Sequence, residues 1–129
     1  MSYLLNTWYI AGWADELTQG GMLGRTIVEQ PIVFFRNSQG VIQALADRCP
    51  HRFAPLHMGK VVGDSVQCPY HGLRFDGSGQ CTYNPHGDGT VPKAACVRAF
   101  AVVERHGAIW VWPGDSSLAN EAQIPDFSF

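Results

Sequence analysis

The chain has 129 residues, of which 46% are hydrophobic, 16% charged and 12% aromatic, and its formal net charge is −2. This is enough sequence for one domain with a working core and no disulfide staples. The near-neutral charge gives no footprint for nucleic acid or an anionic membrane surface. No apolar run approaches the ~20 residues needed to cross a bilayer, and residues 1–6 lack a basic stretch followed by an apolar core. A cytoplasmic, reducing setting is therefore expected.

The pattern along the chain is one of short strands separated by turn chemistry. Residues 8–13 are aromatic and β-prone. Residues 32–36 and 41–46 are apolar runs joined by Asn37-Ser38-Gln39-Gly40, a hairpin signal. Residues 66–68 and 73–75 predict two further strands, and Asp76-Gly77-Ser78-Gly79 turns the chain into 80–83. The clearest hairpin predicted is 97–104, a turn at Arg105-His106-Gly107, then 108–112. One short helical turn is expected at 14–17. Residues 84–89 are dense in turn formers and predict a loop, which could fold beside a neighbouring site as a shield. After Pro113-Gly114 the strand pattern is lost, so 115–129 reads as an irregular tail. The expected class is all-β, in several small antiparallel sheets.

Four cysteines could suggest two disulfides, but their placement argues otherwise. Cys49-Pro50-His51-Arg52 and Cys68-Pro69-Tyr70-His71-Gly72 each set one histidine close behind one cysteine. In a reducing compartment such paired motifs point to a metal. Structural zinc accepts two cysteines and two histidines, but its loops usually supply like pairs. Here each loop supplies one of each, which suits a Rieske-type [2Fe–2S] cluster with Cys49 and Cys68 on one iron and His51 and His71 on the other. Pro50 and Pro69 stiffen the loops, and Gly72 permits a positive φ. Two neutral imidazoles in place of two thiolates make the cluster less negative and easier to reduce than a four-cysteine one.

These residues closely resemble the Rieske domain of the Rieske non-haem iron oxygenases. The likeness is strongest over residues 49–56 and 68–77, and the opening Asn6-Thr7-Trp8-Tyr9-Ile10-Ala11-Gly12-Trp13 is similar to the branch containing vanillate O-demethylase. The resemblance implies a Rieske fold over 1–114, with the cluster-binding part at about 46–86, and a tail, 115–129, leading toward a catalytic domain. It also implies an NAD(P)H-linked reductase or ferredoxin as electron donor. The acceptor would be a mononuclear Fe(II) in the catalytic domain of the same or a neighbouring subunit, within a homotrimer acting on aromatic compounds. That second iron needs two histidines and a carboxylate. His57, His86 and His106 offer no such set, so the substrate-oxidising site is expected outside this sequence. A free-standing Rieske ferredoxin is the competing reading.

Respiratory Rieske proteins add a cysteine to each loop and place hydroxyls near the cluster. Ala54, Tyr70, Leu73 and Phe75 stand at those positions here. Without the hydroxyl donors the potential is expected near the low end of the Rieske range, about −150 mV. Of the remaining residues, His57 and His86 read as polar loop residues rather than surface histidines on the electron path, and His106 as a turn residue. Cys81 and Cys96 read as small buried hydrophobes, and the four tryptophans as sheet packing. Arg52 either meets a carboxylate of a docking partner or anchors its loop.

Overall fold

The computed structural model describes residues 5–50, 54–70, 72–85, 90 and 96–124. Among them it has ten strands in three antiparallel sheets and only short 3-10 turns, the class expected from the sequence. The first sheet orders β1 (Tyr9–Trp13), β10 (Ala108–Trp112) and β9 (Ala101–Arg105). The second is the meander β2 (Met22–Ile27), β3 (Gln30–Arg36) and β4 (Ile42–Ala46). The third is the meander β5 (Lys60–Val62), β6 (Ser65–Gln67), β7 (Arg74–Asp76) and β8 (Cys81–Tyr83).

Alternation along these strands assigns each sheet its core. In the third sheet the row Val61, Val66, Phe75 and Cys81 points inward, with Phe75 and Val66 fully buried. It packs with Val33, Phe35 and Leu45, and the same cluster contains Cys49 and Cys68. The opposite faces of β3 and β4 send Ile32, Phe34, Ile42 and Ala44 against Ile109 and Val111. The central strand β10 is buried along its whole length because its other face is covered too. There Trp8, Trp110 and Trp112 gather with Ile124, Trp8 and Trp112 meet edge-on at 5.3 Å, and Trp8 Nε1 donates to the carbonyl of Asn120 at 2.8 Å. Residues 115–124 thus form no strand, as expected of an irregular tail, yet they are folded onto the first sheet.

The predicted strand 97–104 is realised only in its second half. Residues 96–100 instead stitch the sheets together. Val97 N–H donates to Gly79, Arg98 accepts from Ala46, and Phe100 N–H donates to Ala44, at 2.8–2.9 Å. Val97, Phe100 and Ala101 consequently enter three different apolar clusters. Gly79 makes the first of these approaches possible: its φ is +86°, and a Cβ there would overlap the Val97 carbonyl. At the far end of the third sheet, the Asp64 carboxylate accepts from the Ser38 hydroxyl and N–H, both at 2.7 Å. These bonds hold Asp64 below the ordinary carboxylate value.

Two sequence expectations are corrected. Cys96 is exposed rather than buried, because its backbone bridges Gln80 at the rim of the third sheet; Cys81 is buried as expected. Trp13 is 55% exposed, whereas the other three tryptophans pack as expected. Trp13 stands at the end of β1, past an irregularity between Ile10 and Gly12 and beyond the cover of residues 115–124.

Candidate metal centre

Cys49 and Cys68 come from two separate loops and are each 1% exposed within one apolar cluster. No disulfide joins them. His51, His71, Arg52 and His86 lie outside the described residues, as does most of the candidate shielding loop.

Both loops close with the same bond. Cys49 N–H donates to the carbonyl of Ala54 at 2.8 Å, and Cys68 N–H donates to that of Leu73 at 2.7 Å. In each case the cysteine is tied to the residue five positions on, and the motif's histidine stands between the two in sequence. The second loop tightens further, Gly72 N–H reaching the Cys68 carbonyl at 3.2 Å. Gly72 has φ +81°, and Pro85 lies against it. This is the left-handed position for which a glycine is suited.

The first loop is braced from outside. The Asp47 side chain is 5% exposed; its Oδ1 accepts from the backbone N–H of His57 at 2.8 Å, and its Oδ2 lies against His57 Nδ1. Asp47 precedes Cys49 and His57 is the middle residue of the 3-10 turn Leu56–Met58, so the contact cinches the neck of the loop. Gly24 on β2 gives the pair room: a Cβ there would stand 3.1 Å from His57 Cγ and 3.4 Å from Asp47 Oδ2. The two loops then meet at Gly59, where a Cβ would overlap the carbonyl of Gln67, the residue before Cys68. Sequence reasoning left His57 as a plain loop residue and passed over Asp47, Gly24 and Gly59. A carboxylate two residues before the Cys49 motif was the only available signal.

Around the thiols the second loop and its flank are apolar where respiratory Rieske proteins carry hydroxyls: Leu73 is 6% and Phe75 0% exposed. A depression of about 450 Å³ reaches Cys68 from the surface between Met58, Lys60, Pro69 and Tyr70. Two buried, unbridged thiols presented by two loops of matching closure fit the sulfur half of a Rieske donor set.

The profile of the Rieske [2Fe-2S] domain matches residues 7–104. The chain is 53% identical over 127 residues to the oxygenase component of dicamba O-demethylase from Stenotrophomonas maltophilia, covering 98% of this chain and 37% of that protein. It is 43% identical over 119 residues to the vanillate O-demethylase oxygenase subunit of a Pseudomonas strain, covering 92% of this chain and 33% of that one. Among solved structures, apo dicamba monooxygenase superposes with a TM-score of 0.94 at 52% identity, over 98% of this chain and 39% of that chain. The chain therefore spans little more than a third of the length of these relatives. With its folded body, its two closed loops and the match over residues 7–104, it belongs to the family of Rieske [2Fe–2S] domains.

Proposed function

We propose that this domain carries one electron at a time on a Rieske [2Fe–2S] cluster, with Cys49 and Cys68 ligating one iron and His51 and His71 the other. The observation that carries the proposal is the pair of buried, unbridged thiols in loops closed by the same five-residue bond, each loop with a histidine in sequence between the bonded residues. When bound, the cluster supplies a reversible one-electron couple.

The chain's own residues supply the rest. Cys49 and Cys68 place their sulfurs in an apolar cluster with Leu73, Phe75 and Leu56, which keeps water from that side of the site. The matching loop bonds hold both cysteines, Asp47 braces the first loop, and Gly59 sets the two loops against each other. Leu73 and Phe75 offer no hydroxyl donors, which supports a potential near the lower end of the Rieske range, about −150 mV.

In the parent protein we place this domain, residues 1–114 with its cluster part at about 46–86, between an NAD(P)H-linked reductase or ferredoxin and a mononuclear Fe(II) in a catalytic domain reached through 115–129. A cytoplasmic homotrimer oxidising an aromatic compound is the setting. The relatives are oxygenase components, which supports this reading over a free-standing ferredoxin; among the described residues no helix is long and apolar enough to cross a membrane. The test is anaerobic reduction of the iron-reconstituted chain. A brown protein that takes up one electron and then shows a low-average-g EPR signal is expected. A colourless zinc protein would overturn the proposal.

A further inference from the structure

The third sheet carries an outward row that the electron-transfer reading does not use. Lys60, Gln67, Arg74 and Tyr83 stand opposite one another across its four strands, at the end where Gln67 leads into Cys68. Arg74 Nε donates to Gln67 Oε1 at 2.9 Å, and its guanidinium lies 4.2 Å above the Tyr83 ring, so the cation is held in place along the row. Lys60 is exposed at the edge, and Met58 and Tyr70, 66% and 65% exposed, flank it across the depression that reaches Cys68. Charge is unevenly spread here. The row holds two cations, Lys60 and Arg74, and neither the row nor the lining of the depression beside it includes an acid. Asp64 sits at the opposite end of the sheet, engaged with Ser38. The chain as a whole is nonetheless net acidic.

We propose that this face, the Lys60–Gln67–Arg74–Tyr83 row with the apolar Met58 and Tyr70 beside it, is the docking surface for an acidic one-electron carrier protein. The proposal rests on the electron-transfer reading above and adds which side of the domain the donor approaches. An apolar patch bordered by cations steers and orients an anionic partner, and such rim charges act mainly on encounter and salt dependence. Docked there, the reduced carrier would give up one electron to the oxidised cluster, with no bond made or broken and no proton moved. Cys68 itself lines the depression on this face.

The probe is a plant-type acidic ferredoxin titrated calorimetrically into the cluster-loaded chain at low and high salt, with carbodiimide cross-links mapped by mass spectrometry. Binding that weakens with salt, at least about fivefold weaker binding for Lys60→Glu at low salt, weaker binding for Tyr70→Ser, and a cross-link at Lys60 are expected. Arg105→Glu, in the β9–β10 hairpin, is expected to bind as the parent does. Equal loss for Arg105→Glu, parent-like binding of both Lys60→Glu and Tyr70→Ser, or self-association of the chain abolished by Lys60→Glu would overturn the proposal. The EPR signal after dithionite reduction separates the two readings. If it is present in every variant, a failed titration counts against the docking face alone; if it is absent from the parent, the electron-transfer reading itself has failed.

Discussion

The two cysteine loops perform the same task by different means. The second, from Cys68 to Leu73, is closed from within by two backbone bonds and by a glycine in the left-handed region. The first, from Cys49 to Ala54, has the same closing bond but takes its remaining support from side chains outside it, Asp47 and His57 against Gly24. One loop is specified locally, and the other depends on tertiary contacts. Substitutions near the second should therefore act through backbone conformation, and those near the first through lost contacts.

The largest effect is expected where both loops depend on one residue. Gly59→Ala would force the exit of the first loop away from the Gln67 carbonyl. Because the obstacle is backbone rather than a movable side chain, relief requires the loops to part. Overpacking of this kind costs about 1–3 kcal/mol or more, and iron analysis should find little or no cluster. Full iron occupancy in Gly59→Ala would show that the loops are not set by this contact.

Asp47→Ala comes next, and it bears on the first loop only. It leaves the backbone N–H of His57 without its acceptor, a loss of about 1–3 kcal/mol, to be read as a lower denaturation midpoint. Gly24→Ala should act in the same direction more weakly, since a Cβ at 3.1 Å from the His57 ring requires only that the ring yield. If Asp47→Ala were as stable as the parent, the brace would contribute nothing, and the contrast between the loops would collapse.

The smallest effect, and the only stabilising one, lies away from both loops. The two-residue turn joining β2 to β3 places Val28 at φ +50° and Glu29 at φ +65°. A β-branched residue is poorly suited to that region, and Asn-Gly is the preferred pair for a hairpin with positive φ at both positions. The double substitution Val28→Asn, Glu29→Gly should raise stability by about 1 kcal/mol, measurable as a higher Tm with unchanged cluster content.

That same turn shows where the sequence was silent. Strand β2 was not predicted, because Val28-Glu29 carries no turn chemistry and Gly20, Gly21 and Gly24 interrupt the alternation. The hairpin at Asn37-Ser38-Gln39-Gly40 was legible because its residues suit the turn: Asn37 Oδ1 accepts from the N–H groups of Gln39 and Val41, and Gly40 takes φ +79°. In the candidate site, the cysteine and histidine spacing was readable because ligand spacing is a local property. The Asp47–His57 brace and the Gly59 contact join residues through the fold and leave no periodic trace. The stitching run 96–100 was misread as plain strand because Val97 and Phe100 enter two different clusters rather than one.

The central claim is the ligand set, and pulsed EPR of the reduced chain tests it most directly by detecting the nitrogens bound to iron. Two strongly coupled nitrogens are expected in the parent, and one in each of His51→Cys and His71→Cys, with a lowered reduction potential wherever the cluster survives. A parent signal with no coupled nitrogen, or a histidine variant that keeps both nitrogens at an unchanged potential, would contradict the assignment.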